Sequence, residues 1–414
     1  MNKEELDRKL ECLLPGGVLR EEPMSKHTTF RIGGPAEWYV CPTADVLPQI
    51  LALAKESGVP LTVIGNGSNL LVADAGIRGI VLEIGRAMER VELEPADAIG
   101  NPEAAKRVLK PDQETESECK AEPGQETDAK SEENTRNVTY MRIGAGTLLS
   151  KAARVAADAG LSGLEFAAGI PGSLGGAVVM NAGAYGGQMK DILVEVTVLT
   201  PEGEFIVFSK KDEQDCSALE ENLESQLTEL KQYNQITETE QGCCNAIEES
   251  HSQRADIKRD DGMDSSYVVE YRNIEELDLS YRHSIIPERH YVVVEAVVAL
   301  TPAPKEEIQA QMADLRKRRI DKQPLEYPSA GSTFKRPEGY FAGKLIEDAG
   351  LKGYTVGGAQ VSPKHSGFVI NTGSATATDV RQLIVDVQER VMQQFGVQME
   401  PEVRMLGDFE ESMR

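Results

Sequence analysis

The segment 166–187 constrains the fold most, because its sequence FAAGIPGSLGGAVVMNAGAYGG holds seven glycines around one proline. A packed core has no use for so many positions without side chains. A backbone that lies against a ligand does use them, since glycine adopts positive φ and allows close approach. Successive N–H groups in such a turn form a concave surface that binds anions. The segment therefore predicts a diphosphate-binding site.

A second glycine-rich loop, GNGSN at residues 65–69, follows a predicted buried strand at residues 61–64. It lacks both the GxGxxG pattern that opens a helix in dinucleotide-binding folds and the Gly-Lys-Ser/Thr ending of a P-loop. One such loop alone is equally well explained by a plain turn. Two long loops with apolar flanks indicate a binding site for a phosphorylated ligand.

The net charge of −24 is concentrated in two segments. Residues 92–137 contain 13 acidic and 6 basic residues, and residues 211–270 contain 16 acidic and 5 basic ones. Their many Glu, Ser, Gln and Thr residues and few aromatic ones are typical of chain that cannot offset its ordering entropy by burial. We expect disordered acidic insertions, with docking or regulatory arms as the alternative. Such charge argues against nucleic acid as a partner.

Composition also bears on the compartment. No stretch approaches the roughly 20 apolar residues of a membrane span, and the charged N-terminus does not resemble a signal peptide. The six cysteines show no metal-ligand spacing, and Cys243 and Cys244 are adjacent. We therefore expect free thiols in a reducing cytoplasm, with no metal and no membrane. A monomer is expected as well.

Several ordered motifs make the chain resemble one family. They are TTFRIGG (28–34), GNGSNLL (65–71), GIPGS (169–173), NAGA (181–184), YRHS (281–284), GSTFK (331–335), AGKLI (342–346), GLKG (350–353) and SPKHSGF (362–368). Together they resemble the bacterial UDP-N-acetylenolpyruvoylglucosamine reductases over residues 20–90, 138–210 and 272–405. The short Tyr-Arg-x-Ser segment is similar to the compact subtype of that family. The resemblance implies a flavoenzyme of peptidoglycan precursor synthesis, and hence of cell-wall biogenesis, cell shape and cell division.

The alternating pattern of strands and helices fits that resemblance and predicts an α+β fold. Strands are predicted at 61–64, 79–84, 139–143, 193–199, 205–208, 291–300, 355–361 and 367–370, and helices at 148–159, 306–319, 341–349 and 377–395. The resemblance implies a two-lobed FAD-binding domain of the vanillyl-alcohol-oxidase-like flavoprotein type (PCMH-type). We expect an N-terminal helix at 1–20, this domain at 21–301 with the insertions 92–137 and 211–270, and a C-terminal α+β substrate domain at 302–414.

FAD suits the two glycine loops, because its diphosphate needs backbone donors. Neither loop contains His or Cys, so we expect a non-covalent FAD. NADPH is the reductant that the resemblance implies. The expected cofactor-binding residues are Thr29, Arg31, Gly65, Asn66, Gly67, Ser68, Asn69, Leu70, Gly169, Ile170, Pro171, Gly172, Ser173, Gly175, Gly176, Asn181, Ala182 and Gly183.

The resemblance assigns the catalytic roles to Ser332, Arg282 and Glu402. Ser332 is the implied proton donor, and Arg282 with Glu402 completes the catalytic set. A guanidinium presents a fork to carboxylate or enolate oxygens, which suits an enolate-like charge. Glu400, two residues before Glu402 on one face of a predicted strand, is the rival for the carboxylate role.

The implied substrate is UDP-N-acetylenolpyruvylglucosamine, whose diphosphate and carboxylate need cations. The candidate residues are Tyr281, Lys335, Arg336, Lys344 and Lys364. Arg336 stands where the family usually has Asn, which affects the contact with substrate rather than the reaction. Two alternatives remain open at this point. One is another oxidoreductase on the same flavin fold, and the other is an idle flavoprotein scaffold with acidic docking arms.

Overall fold

The computed structural model describes residues 1–94, 138–210 and 269–409, and elements are numbered in chain order within these ranges. The helices are α1 Lys3–Leu13, α2 Leu47–Ser57, α3 Leu149–Asp158, α4 Leu174–Val179, α5 Met189–Ile192, α6 Lys305–Lys322, α7 Ala342–Asp348 and α8 Ala377–Phe395. The strands are β1 Val18–Pro23, β2 Pro35–Val40, β3 Leu61–Ile64, β4 Leu70–Val72, β5 Ile77–Glu83, β6 Val91–Glu94, β7 Thr139–Gly144, β8 Leu161–Ser162, β9 Gly183–Ala184, β10 Gly187–Gln188, β11 Leu193–Leu199, β12 Phe205–Ser209, β13 Val269–Asn273, β14 Val292–Pro302, β15 Ser329–Ser332, β16 Thr355–Val356, β17 Ala359–Val361, β18 Phe368–Asn371 and β19 Arg404–Leu406.

The first lobe is a four-stranded sheet in the order β1-β2-β5-β3. β3 and β5 are parallel, so β3 ends at the same edge as β5 and continues directly into the GNGSN loop. α1 and α2 cover the sheet with apolar side chains such as Leu6, Leu10 and Ile50, which share one core with Trp38. α2 ends at Gly58, whose φ of +68° is the left-handed conformation that glycine adopts without strain.

The second lobe is a seven-stranded sheet with the strand order β13-β12-β11-β14-β7-β6, to which β8 adds through β14. Most neighbours are antiparallel, whereas β12 and β13 are parallel. Arg142 on β7 is buried in this sheet and reaches Glu94 at 2.7 Å, Glu295 at 2.6 Å and Glu195 at 3.5 Å. A buried guanidinium needs such carboxylate partners, because an unpaired charge would lose its hydration without compensation.

The third unit is a four-stranded antiparallel sheet in the order β15-β18-β17-β16, packed with α7 and α8. α8 begins with a capping box in which Thr376 and Asp379 satisfy each other's backbone N–H groups, and it ends at Gly396. The core of this unit includes Phe30 and Leu71 from the N-terminal part of the chain. β19 also pairs in parallel with β4, so the C-terminal segment lies next to the first glycine loop.

Several element boundaries in the structure differ from those that the sequence predicts. The N-terminal helix expected at 1–20 ends at Leu13, because Pro15, Gly16 and Gly17 follow, and β1 begins at Val18. Residues 92–94 and 269–270 form strands rather than parts of the expected insertions, and the buried ion pair with Arg142 holds Glu94 in place. The rest of both acidic segments, 95–137 and 211–268, lies outside the described residues. β1, β2 and α2 were not predicted.

Candidate functional site

The two glycine loops meet in the structure. Asn66 Nδ2 in the first loop donates a hydrogen bond to the Pro171 carbonyl in the second, at 2.6 Å. A Cβ atom on Gly65 would lie 2.5 Å from Ser173 Oγ, closer than side-chain contacts allow. Gly67 has φ of +60° and lies so close to a neighbouring carbonyl that it has no room for a side chain. Position 67 therefore requires glycine because two backbones approach each other closely, and a side chain at position 65 would displace the Ser173 hydroxyl.

The polar groups of these loops fit a diphosphate. Within the described chain, several loop N–H groups donate to no backbone carbonyl, among them those of Asn66, Gly67, Ser68, Gly172, Ser173 and Gly176. The Ser173 hydroxyl is buried and has no hydrogen-bond partner there. Buried polar groups are normally satisfied, so an unpartnered hydroxyl beside free N–H groups indicates a ligand with acceptor oxygens. These residues would hold the diphosphate of FAD.

Some expected cofactor-binding residues connect the loops to the third unit. Thr29 Oγ1 donates to the Ser329 carbonyl at 2.7 Å, and the Thr29 N–H donates to the Gly67 carbonyl at 3.1 Å. Asn69 Nδ2 donates to the Glu402 carbonyl at 3.0 Å. These bonds position the first loop relative to β15 and to residue 402. Arg31 has a positive φ of +55° and an exposed side chain, and Leu70 begins β4.

Other residues of the expected cofactor set are engaged with the protein itself. Asn181 Nδ2 donates to Gln188 Oε1 and to the Ser280 carbonyl at 3.0 and 3.1 Å, and its Oδ1 accepts from the Lys190 N–H. Gly175 donates its N–H to the Ala145 carbonyl and packs against that residue. Four further members are placed by backbone bonds or packing: Gly169, Ile170, Ala182 and Gly183. Cofactor contacts by this group stay predictions.

The three expected catalytic residues line one cleft of about 390 Å³. Arg282 Nε donates to Glu402 Oε1 at 2.5 Å, and both side chains are largely buried. Burial raises the pKa of the Glu402 carboxyl, and the Arg282 charge opposes that rise. Arg282 has φ of +58°, a conformation that costs free energy for a non-glycine residue and often marks a functional site. Ser332 is exposed to the cleft.

Backbone pairing explains how residues from distant parts of the sequence meet. Ser332 is the last residue of β15, and the next residue, Thr333, accepts the Glu402 N–H at 2.8 Å. Residues 333–335 thereby pair with residues 400–402. This pairing places Glu402 beside the end of β15, where Ser332 lies. The loop with Arg282 is held separately, because Ser284 Oγ donates to the Val179 carbonyl at 2.7 Å.

The structure distinguishes Glu402 from its rival. Glu400 is exposed, forms an ion pair with Lys335 at 3.3 Å, and does not line the cleft. Glu402 lines the cleft and a second cavity of about 250 Å³, so the Arg282–Glu402 pair lies between the two. Lys335 lines only the second cavity, unlike the other expected substrate residues. The geometry therefore favours Glu402 as the carboxylate of the site.

Tyr281, Arg336, Lys344 and Lys364 line the main cleft, and their contact with substrate stays a prediction. The Arg336 N–H donates to Tyr281 Oη at 3.3 Å, and its guanidinium lies 4.0 Å from the ring centroid of Phe341. Phe341 is 63% exposed, a large value for an aromatic side chain, and sequence reasoning missed it. Its position directly before the AGKLI motif was the available signal.

His365 also lies at the cleft. Its Nδ1 accepts the Gly367 N–H at 3.1 Å, and burial lowers its pKa. Its ring meets Phe368 edge-on at 5.0 Å between centroids. These contacts fit a structural role for His365. Within the residues that the structure describes, no group of three or more His, Cys, Asp or Glu side chains is arranged to hold a metal ion.

The fold and site together define a class of protein. Two facing glycine loops suited to a diphosphate, two α+β lobes, and a cleft with a buried Arg–Glu pair and a serine are the features of an FAD-dependent oxidoreductase. None of the described helices is long and apolar enough to cross a membrane.

Comparisons with known proteins define the family. Residues 36–104 and 130–209 match the model of an FAD-binding domain, and residues 323–406 match the C-terminal domain of UDP-N-acetylenolpyruvoylglucosamine reductase. A reductase of that name from Agathobacter rectalis is 46% identical over 393 residues, which is 95% of both chains. One from Lachnoclostridium phytofermentans is 40% identical over 400 residues, covering 94% of this chain and 93% of the relative.

The chain belongs to the UDP-N-acetylenolpyruvoylglucosamine reductase family. A crystal structure of the Thermus caldophilus reductase superimposes with a TM-score of 0.57 at 29% identity, covering 94% of this chain and 98% of the other. The resemblance, the α+β fold with its FAD-binding domain, and FAD with NADPH as reductant are therefore confirmed.

Proposed function

We propose that this chain reduces the enolpyruvyl ether of UDP-N-acetylenolpyruvylglucosamine to UDP-N-acetylmuramate in peptidoglycan precursor synthesis. FAD is the cofactor and NADPH the reductant. The observation that carries the proposal is the convergence of Arg282, Glu402 and Ser332 on one cleft beside the glycine loops. The matching names of relatives that cover nearly the whole chain support the same reaction.

The reaction needs a hydride at the terminal carbon of the enolpyruvyl group and a proton at the ether carbon. FAD, when bound, supplies the hydride chemistry. Negative charge then develops on the substrate next to its carboxylate, and the Arg282 guanidinium stabilises it. Glu402 holds that guanidinium in place through the 2.5 Å bond to Nε. Ser332 Oγ donates the proton, and its position at the end of β15 fixes it in the cleft.

The cleft also suits the charged parts of the substrate. Lys344, Lys364 and Arg336 are the cations among its lining residues besides Arg282, and Glu347 and Glu402 are the acids. We assign the diphosphate and carboxylate of the substrate to these cations and to Tyr281. Lys335 is a weaker candidate, because it is paired with Glu400 on the other side of the Arg282–Glu402 pair.

The remaining expectations belong to the same proposal. We propose a cytoplasmic monomer that binds neither nucleic acid nor membrane, in keeping with its net charge of −24. We also propose a two-lobed FAD-binding domain that extends to about residue 301 and a substrate domain from residue 302. β14 ends at Pro302 and α6 then leads to the third sheet, which supports that boundary.

Substitution of Ser332 tests the proposal. In Ser332→Ala, flavin reduction by NADPH should keep its wild-type rate, whereas turnover of the enolpyruvyl substrate should fall by about 100-fold or more, the range for loss of a general acid. Ser374→Ala is the matched control, since this exposed serine lies outside the cleft. Turnover by Ser332→Ala at the rate of the control would contradict the role of Ser332.

A further inference from the structure

Arg319, on the last turn of α6, lies against the second glycine loop. A Cβ atom on Gly169 would be 2.9 Å from Arg319 Nη1 and 3.2 Å from its Cδ. The side chain is half-buried, and it comes from a helix 150 positions later in the sequence. Gly169 therefore leaves room for a guanidinium beside a loop that contains no Lys or Arg of its own.

The Arg319 charge has no counter-charge within the described part of the chain. Its burial lowers its pKa, and no described carboxylate forms an ion pair with it. Other buried arginines differ, since Arg142 has three glutamates and Arg282 has Glu402. On α6 itself the exposed Arg318 pairs with Asp314 at 2.6 Å. Among the described arginines that are at least half-buried, Arg381 also forms no ion pair, but its guanidinium lies over the Phe409 ring.

An unpaired, half-buried guanidinium raises the free energy of the apoprotein. A buried cation loses hydration and regains that free energy only when an anion or several acceptors replace the water. The loop next to Arg319 carries the free N–H groups of Gly172 and Ser173, which supply partial positive charge but no full charge. A ligand that satisfies both the N–H groups and the guanidinium must carry negative charge and several acceptor oxygens.

We propose that Arg319 binds the diphosphate of FAD and supplies the full positive charge that the glycine loops lack. A guanidinium is well suited to this, because its fork of donors matches two phosphate oxygens. The absence of a side chain at Gly169 then allows the guanidinium to reach the loop. The diphosphate of the nucleotide substrate is the other ligand of the same chemistry, and the measurements below separate the two.

The first measurement is the affinity of the apoprotein for FAD, with quenching of flavin fluorescence as the signal. Arg319→Met should weaken FAD binding by about 10- to 100-fold, the loss expected for a charge-assisted contact. The FAD affinity of Arg319→Lys should lie between those of Arg319→Met and the wild type, because lysine keeps the charge and lacks the forked donors of the guanidinium. Arg318→Met is the matched control, with the same change in charge on the same helix, and it should bind FAD as the wild type does.

Two further ligands identify the group that is bound. Riboflavin, which has no phosphate, should bind Arg319→Met and wild type equally. UDP should bind the two holoenzymes equally. Normal FAD binding by Arg319→Met would overturn the proposal, and if UDP binding fell instead, Arg319 would belong to the substrate. A changed flavin midpoint potential with unchanged FAD affinity would overturn it too, because the charge would then lie at the flavin ring.

Thermal unfolding excludes a purely structural role. Arg319 is in the last turn of a helix, where a cation can stabilise the helix dipole. That role predicts a lower melting temperature for the Arg319→Met apoprotein. It also predicts that FAD raises the melting temperature of this variant by as much as that of the wild type. FAD binding by Arg319 predicts instead that the Arg319→Met apoprotein is at least as stable as the wild-type apoprotein, and that FAD raises its melting temperature by less. If Arg319→Met fails to refold with FAD, the Arg319→Lys protein is measured in the same three assays.

Discussion

Replacement of Gly67 by alanine tests how the first glycine loop is built. Gly67 has φ of +60°, and a Cβ atom there would be 1.9 Å from the carbonyl oxygen of His27 and 2.9 Å from Thr28 Cα. Both contacts are with backbone, so no side-chain rotation relieves them. The loop or residues 27–28 must move by about 1 Å to restore an ordinary separation. The bond from the Thr29 N–H to the Gly67 carbonyl would be disturbed as well.

The free energy of this change has two parts. A left-handed conformation costs a non-glycine residue about 1 kcal/mol or slightly more. Gly396 has almost the same φ, +67°, and no atom within 4 Å of its Cβ position, so Gly396→Ala isolates this first part. The backbone clash at Gly67 adds about 2–3 kcal/mol, in the range for overpacking. We expect Gly67→Ala to lower the free energy of unfolding by about 3–4 kcal/mol.

The assay is urea unfolding of both apoproteins, followed by FAD titration. Gly67→Ala should also weaken FAD binding, because the free N–H groups of Asn66, Gly67 and Ser68 move with the loop. Gly396→Ala should bind FAD normally, since it ends α8 in the third unit. Equal losses of stability in the two variants, together with normal FAD binding by Gly67→Ala, would refute the loop geometry described above.

Three further predictions concern residues around the site. Burial raises the pKa of Glu402 above its usual value near 4.5, so kcat/KM should fall as the pH drops through that raised pKa, and Glu402→Gln should lose this acidic limb of the pH profile. Asn181→Ala removes bonds to Gln188 and to the Ser280 carbonyl, and it should cost about 1–3 kcal/mol in urea unfolding and reduce kcat by freeing the Arg282 loop. Arg142→Met leaves buried glutamates unpaired and should cost about 3–5 kcal/mol at pH 7. Part of that loss should return at lower pH, because burial raises the pKa of Glu295 and its protonation removes the unpaired charge; an equal loss at both pH values would contradict this.

The sequence was most informative where local chemistry decides the structure. The strand at Leu61–Ile64 and the helix Ala377–Phe395 have the predicted bounds, because an apolar run ending at glycine and a capped amphipathic pattern are local signals. β1 and β2 carried too many charged or aromatic residues for a clear alternation, and pairing with β5 stabilises β2.

The sequence indicated which residues share the cleft, but it did not indicate their contacts. Ordered motifs indicated Arg282, Ser332 and Glu402, yet the choice between Glu402 and Glu400 depends on the pairing of residues 333–335 with 400–402. Arg319 lies in a basic stretch that reads as a solvent-exposed helix face. Only the packing of α6 against Gly169 distinguishes it from its neighbours.

The most direct test of the account is anaerobic stopped-flow absorbance of the flavin in the purified holoprotein. NADPH is added first, and UDP-N-acetylenolpyruvylglucosamine is added after the flavin band has bleached. We predict that NADPH bleaches the band and that its recovery requires the nucleotide sugar. Bleaching without such recovery would contradict the proposed substrate, and the absence of a flavin band after addition of FAD would contradict the assignment of the glycine loops.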